Sequence, residues 1–119
     1  MWYNNIMKTV FTNGCFDILH RGHLEYLKES AFWGERLIVG INSDSSIRKL
    51  KGSGRPINNE EDRKLALECL SFVDRVYIFD EPTPYELIKY IRPDIITKGG
   101  DYVPDNVVGN DLARVKIIP

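Results

Sequence analysis

The sequence predicts a single α/β domain, a doubly wound parallel sheet with helices on both faces (α/β/α). Three observations carry that expectation. Five short runs are apolar at consecutive positions, as strands covered on both faces require. Stretches with helical spacing separate them, and 119 residues leave room for one core and little surplus.

The strands are expected at "KTVFT" (8–12), "RLIVGIN" (36–42), "RVYIF" (75–79), "DIITK" (94–98) and "VKII" (115–118). After the first, Asn13 and Gly14 allow a tight turn, and a helix runs through Leu24, Leu27 and Ala31. "SIRKLKGSGRP" (46–56) carries Arg48, Lys49, Lys51 and Arg55 with no acid among them and reads as a basic, glycine-rich loop. From Arg63 to Ser71 a helix presents Leu65, Ala66, Cys69 and Leu70 on one face, with Asn59 as its N-cap and Asp62 three residues on. In "TPYELIKYIRP" (83–93) Thr83 caps, Pro84 takes the first turn and Glu86 completes a capping box. Leu87, Ile88 and Ile91 form its stripe, and Pro93 stops it. In such sheets, with right-handed crossovers, ligands bind beyond the carboxyl ends of the strands, where strand order reverses. The segments to read for chemistry are therefore 13–23, 43–55 and 98–102.

The net charge of −1 conceals that local basic excess. Four cations in eleven residues suit an anionic small molecule; a long nucleic acid needs a broader basic face. Cys15 and Cys69 lie far apart, which gives neither a disulfide framework nor a zinc pattern and fits a reducing cytoplasm. The start has no secretory pattern and no segment reaches about 18 uninterrupted apolar residues, so a soluble, unexported protein without a membrane role is expected. The periodic sequence begins at Met7, and residues 1–6 read as a short, poorly ordered extension.

Both histidines fall in "NGCFDILHRGHLEYL" (13–27), three apart, with Gly22 between them permitting close backbone approach. His23 belongs in the first turn of the following helix, where free N–H groups and the helix dipole favour an anion by about 0.3–1 kcal/mol. His20 and His23 placed there can both donate to phosphate oxygens. The plain alternative is a polar helix start. A metal site would need a firm third ligand beyond these two and Asp17, and Cys15 reads as a small packing residue rather than a nucleophile.

A phosphate-binding pair implies a reaction as well. A phosphomonoester has its second pKa near ~6, so it is largely ionised at pH 7 and attacks another phosphate without a general base. The protein must align the two anions, screen their repulsion and stabilise charge on the leaving oxygens.

"TNGCFDILHRGHLEYL" resembles the H-x-G-H signature of the nucleotidyltransferase superfamily, which includes glycerol-3-phosphate cytidylyltransferase and phosphopantetheine adenylyltransferase. "VGINSDSSIRKLKGSGRPINNEEDRKLAL", "VDRVYIFDEPTPYELIKYIRPDIITKGGDY" and "NVVGND" resemble the adenylyltransferase domain of bifunctional ADP-heptose synthases. The similarity covers nearly all of the chain from Met7, and "LKGSGRPIN" with "KGGDY" is far more specific than H-x-G-H alone.

The resemblance implies a Rossmann-like fold and transfer of an adenylyl group from MgATP to a sugar 1-phosphate, in the family a heptose destined for lipopolysaccharide. By the same resemblance, His20 and His23 hold the triphosphate and stabilise the transition state. Asn13, Gly14, Cys15 and Phe16 form the floor under the nucleotide, with Asp17 anchoring the turn. Lys51 and Lys49 bridge the acceptor phosphate and the nucleotide, and Arg63 joins them as the arginine of "EDR". Lys98, Gly99 and Asp101 lie near base and ribose. Mg²⁺ would arrive on the triphosphate with no direct protein ligand, and many relatives form homodimers. Each assignment has a plain rival: Lys49 and Lys51 as loop solvation, Arg63 as a surface partner of Glu60, "KGGD" as a strand-to-loop turn.

Family members continue past the final strand into a "G-Y-S-T-T" type segment that grips the phosphates, and the bifunctional enzymes carry a kinase domain. This sequence ends at Pro119, before any such segment, so the expectation is either a fragment or a short form with one wall of the site missing. Two alternatives stand beside the adenylyltransferase: a cytidylyltransferase of the glycerol-3-phosphate kind, and a non-catalytic nucleotide-binding module.

Overall fold

A computed structural model describes residues 7–119; the expected N-terminal extension at 1–6 lies outside the described residues. Its strands are β1 (Thr9–Gly14), β2 (Arg36–Asn42), β3 (Arg75–Phe79), β4 (Ile95–Gly99) and β5 (Arg114–Ile118). The helices are α1 (Arg21–Phe32), α2 (Asp44–Lys51), α3 (Glu60–Glu68) and α4 (Tyr85–Ile91), with a 3-10 turn at Pro104–Asn106. All strand pairs are parallel, in the order β3-β2-β1-β4-β5. Every expected strand is present, within about two residues at either end.

Two apolar layers hold the sheet between its helices. On one face Val10, Leu37, Val39, Ile41, Val76 and Ile95 pack with Leu27 of α1 and Leu67 of α3. On the other, Phe11, Ile38 and Ile96 pack with Ile88 of α4 and Val107. Neighbouring residues of β1 and β2 serve opposite layers, which is why these strands read as continuous apolar runs; each such side chain contributes about 1.5–3 kcal/mol when fully buried. Gly40 of β2 leaves room for this second layer, since a Cβ there would stand 2.9 Å from both Leu87 Cδ2 and Phe11 Cζ.

Three local expectations are corrected. The basic stretch is not all loop: Ser43 caps α2 by accepting from Ser46 N, and Arg48, Lys49 and Lys51 fall in its last turn. In α3 the expected cap is present, Asn59 Oδ1 accepting from Asp62 N at 2.8 Å, but the inward face carries Arg63, Leu67 and the half-buried Leu70. Leu65, Ala66 and Cys69 face solvent instead. At α4 the apolar stripe holds, yet no side-chain bond closes a capping box with Glu86; Thr83 Oγ1 accepts from Tyr85 N at a long 3.4 Å.

Chain order reverses between β1 and β4. Their ladder is short, Val10 opposite Ile95 and Phe11 opposite Ile96. Beyond it the strands part, and their carboxyl ends open a crevice, the position where doubly wound sheets bind ligands.

Candidate active site

The histidine segment folds as a reciprocal helix cap. His20 is the N-cap residue of α1, extended at φ −138° and ψ 178°, and its Nδ1 accepts from Gly22 N at 3.0 Å. His23 Nδ1 in turn accepts from His20 N, at 3.4 Å. The imidazoles thereby take the places of the serine and glutamate in an ordinary capping box. They stack with centroids 3.9 Å apart and planes at 30°. A neutral imidazole whose Nδ1 accepts carries its proton on Nε2. The cap therefore leaves the donor proton on Nε2, firmly at His20 and by the longer bond at His23. Burial and the neighbouring His20 charge hold the pKa of His23 below its usual 6.5, while the Ile18 carbonyl pulls the other way.

Glycine at 22 serves the ring rather than the backbone approach expected of it, because a Cβ there would stand 2.9 Å from His20 Cε1. Behind the pair, Phe16 sits in the left-handed region (φ 47°), with its ring edge-on to His23 at 5.4 Å. That geometry demands Gly14, whose Cβ would meet the Phe16 ring at 2.9 Å.

Of these residues Gly14, Phe16 and His23 line one wall of an open cavity of about 610 Å³ at the β1/β4 crevice. Asn13, Gly14, Cys15, Phe16 and His23 stand on one side, Lys51 at the end of α2, and Lys98, Gly99 and Asp101 at the end of β4. Burial lowers the pKa of Lys98 from its ordinary 10.5, an effect that nearby Asp101 opposes. Its Nζ lies 4.9 Å from the centroid of the Tyr102 ring. Tyr26 and Tyr102 complete the lining. Neither belongs to the expected site, although Tyr26 follows His23 by three residues, the spacing that puts both on one helix face.

Four expected site residues stand apart from that lining. His20 is exposed at the cap of α1 and meets the cavity only through its stack on His23. Lys49 is exposed on α2, outside the cavity. Asp17 turns its carboxylate away from the cavity to the segment before α3, accepting from Ile57 N at 2.9 Å, Asn58 N at 2.8 Å and Arg55 Nη1 at 3.3 Å. Burial alone would raise its pKa, but these donors bring it below the usual carboxylate range. It anchors a distant segment rather than its own turn.

Arg63 is 2% exposed. Its guanidinium donates to Asn58 O (3.0 Å), Cys15 O (3.0 Å), Asn42 O (2.8 Å) and Asp44 Oδ1 (2.9 Å). With every nitrogen engaged inside the protein, it is neither the phosphate ligand nor the surface partner of Glu60 that the sequence suggests; it fastens the ends of β1 and β2 to the starts of α2 and α3. Among the described residues no cluster of three or more His, Cys, Asp or Glu side chains is placed to hold a metal ion, and no helix is long and apolar enough to cross a membrane.

A parallel α/β domain that gathers a histidine-capped helix and two lysines around the crevice at its switch point is, as a class, a binder of phosphate-bearing ligands. Residues 11–116 match the cytidylyltransferase-like family, and the chain belongs to it. It is 58% identical over 118 residues to the bifunctional protein HldE of Wolinella succinogenes, covering 98% of this chain and 25% of that protein. To the protein of the same name from Aliarcobacter butzleri it is 59% identical over 106 residues, covering 89% of this chain and 22% of that one. The chain thus spans about a quarter of the length of these curated relatives. The crystal structure of the lipopolysaccharide core biosynthesis protein from Thermoplasma volcanium superimposes with a TM-score of 0.79 at 35% identity, covering 93% of each chain.

Proposed function

We propose that this domain transfers an adenylyl group from MgATP to a sugar 1-phosphate, heptose 1-phosphate by its resemblance to ADP-heptose synthases, releasing pyrophosphate. The observation that carries the reading is the convergence of His23, Lys51 and Lys98 on one cavity from three separate elements, α1, α2 and β4. A phosphate oxygen of the acceptor attacks the α-phosphorus, the bond to the bridging oxygen breaks, and pyrophosphate leaves with the electron pair. No proton need move, since the acceptor is already ionised. The Nε2–H groups of His20 and His23 and the free N–H groups of α1 meet the charge gathering on the bridging and non-bridging oxygens. Lys51 and Lys98 hold the two anions together against their repulsion, and half-burial strengthens the field of Lys98.

Asp101, the one carboxylate lining the cavity among the described residues, offers an oxygen donor suited to a hard cation that keeps most of its ligands as water and phosphate. Mg²⁺ bound with the triphosphate supplies charge screening. The family's name keeps a second reading in view, with CTP in place of ATP. The domain is proposed to work in the cytoplasm on small molecules, and to pair as a homodimer.

The test is Mg²⁺-dependent pyrophosphate release with heptose 1-phosphate, using ATP and CTP in parallel, against a His20→Ala, His23→Ala double variant. ATP-dependent release that falls about a hundredfold or more in the variant supports the adenylyltransferase. Release with CTP alone reassigns the base. No release with either nucleotide, from protein that still binds ATP, leaves a binding module.

A further inference from the structure

Where the β1/β4 ladder ends, side-chain hydroxyls take over from the backbone. Thr12, one residue past the last ladder pair, donates its hydroxyl to Thr97 O at 3.2 Å. The Tyr26 hydroxyl lies 2.8 Å from Thr12 Oγ1 and 3.4 Å from Thr97 Oγ1, and Ser30 Oγ lies 2.8 Å from Thr97 Oγ1. Thr12, Ser30 and Thr97 are completely buried, while Tyr26 reaches the cavity. Four hydroxyls thus tie α1 to both strands at the point where these diverge.

The elements joined are the ones that carry the proposed chemistry. Tyr26 stands one turn beyond His23 on α1, and Thr97 immediately precedes Lys98 on β4. Apolar packing resists separation of a helix from a sheet but is non-directional, so it permits small rotations and slides. Directional bonds from one helix to two strands remove that freedom. We infer that Tyr26 is a positioning residue: through Thr12 and Thr97 it fixes the rotation of α1, and so the spacing between the His23 donor and the Lys98 charge across the crevice. The inference rests on the adenylyltransferase reading, and it assigns Tyr26 no contact with the reacting atoms.

The experiment compares wild type, Tyr26→Phe, Thr12→Val, the pair together, and Tyr26→Phe in a His23→Ala background, by Mg²⁺-dependent pyrophosphate release and thermal unfolding. Tyr26→Phe keeps the ring and its packing. It is expected to lower kcat roughly tenfold or more while the KM for ATP stays within about twofold, since a misplaced donor weakens the transition state more than ground-state binding. Thr12→Val should reproduce that loss, and the two together should lose little more than either alone. With His23 already removed, Tyr26→Phe should cost less than about twofold. An unchanged kcat, or an equal loss with and without His23, overturns the positioning role while leaving the site's function intact. A wild type that releases no pyrophosphate overturns the reading of the site, and this inference with it.

Discussion

The two walls of the crevice are held by opposite means. The histidine wall is a local structure: each imidazole is fixed by a backbone N–H within three residues of itself, and both are partly open to solvent. The wall that carries Lys51 is fixed from far away, since Arg63 bonds carbonyls 21 and 48 residues distant and Asp17 grips a segment 40 residues on. Local capping sets the orientation of a few donor atoms and adds only about 1 kcal/mol to global stability. A buried guanidinium shared among four segments does the reverse. Damage to the first wall should therefore appear in rate, and damage to the second in folding.

The largest effect should come from Arg63→Met. Removing the guanidinium leaves the Asp44 carboxylate and three carbonyls without their donor; water reaches Asp44, whose side chain is 25% exposed, so the loss should fall toward the lower end of the ~3–5 kcal/mol typical of breaking a fully buried pair. A domain with a total stability of about 5–15 kcal/mol should then unfold at clearly lower urea concentration. Arg63→Lys should recover only a small part, because a single ammonium cannot reach acceptors spread around a planar fork. A loss below about 1 kcal/mol in urea titration would mean that the tie is dispensable and the contrast between the walls is false.

Gly22→Ala tests the other wall. Gly22 lies in the first turn of α1 and has no positive φ, so alanine gains up to about 1 kcal/mol of helix propensity, which offsets the loss of the cap bond and should leave stability within about 1 kcal/mol of wild type. The new Cβ must nevertheless push the His20 ring from its place against Gly22 N and His23. Pyrophosphate release should fall about tenfold or more while the unfolding midpoint holds. Equal losses of rate and stability would show that the cap is a structural element rather than a device for aiming donors.

The same division governs how much was legible in the sequence. The strands, the crevice and the histidine turn rest on features adjacent in the chain: apolar runs, a glycine pair, two histidines three apart. The α2 helix was missed because its apolar residues are only Ile47 and Leu50, and Leu50 is exposed; the usable signal was the cap at Ser43 and Asp44. The inward face of α3 escapes an apolar-stripe reading because arginine ordinarily lies at the surface, yet Arg63 and Leu67 stand four apart and share the buried face. No local pattern reports that a cation's partners are backbone carbonyls from other strands. Tyr26 stayed silent for a similar reason, since its partners Thr12 and Thr97 lie 14 and 71 residues away.

The smallest effect is electrostatic and confined to the histidine pair. His23 titrates below 6.5 because burial and then the His20 charge disfavour its imidazolium. A lowered folded pKa means that the unfolded chain binds the proton more readily. The stability linked to neutral His23 is thus fully present above about pH 6.5 and is lost as pH falls through the depressed folded value. His20→Ala removes the charge and, with the stacked ring, part of the burial, so the His23 pKa should rise, and the acid-side loss of stability should shrink in proportion. Imidazole chemical shifts followed across a pH titration would read this directly. A His23 pKa unchanged by His20→Ala would assign the shift to burial alone. The stacked partner would then serve to cap the helix and supply a second donor, without keeping His23 neutral.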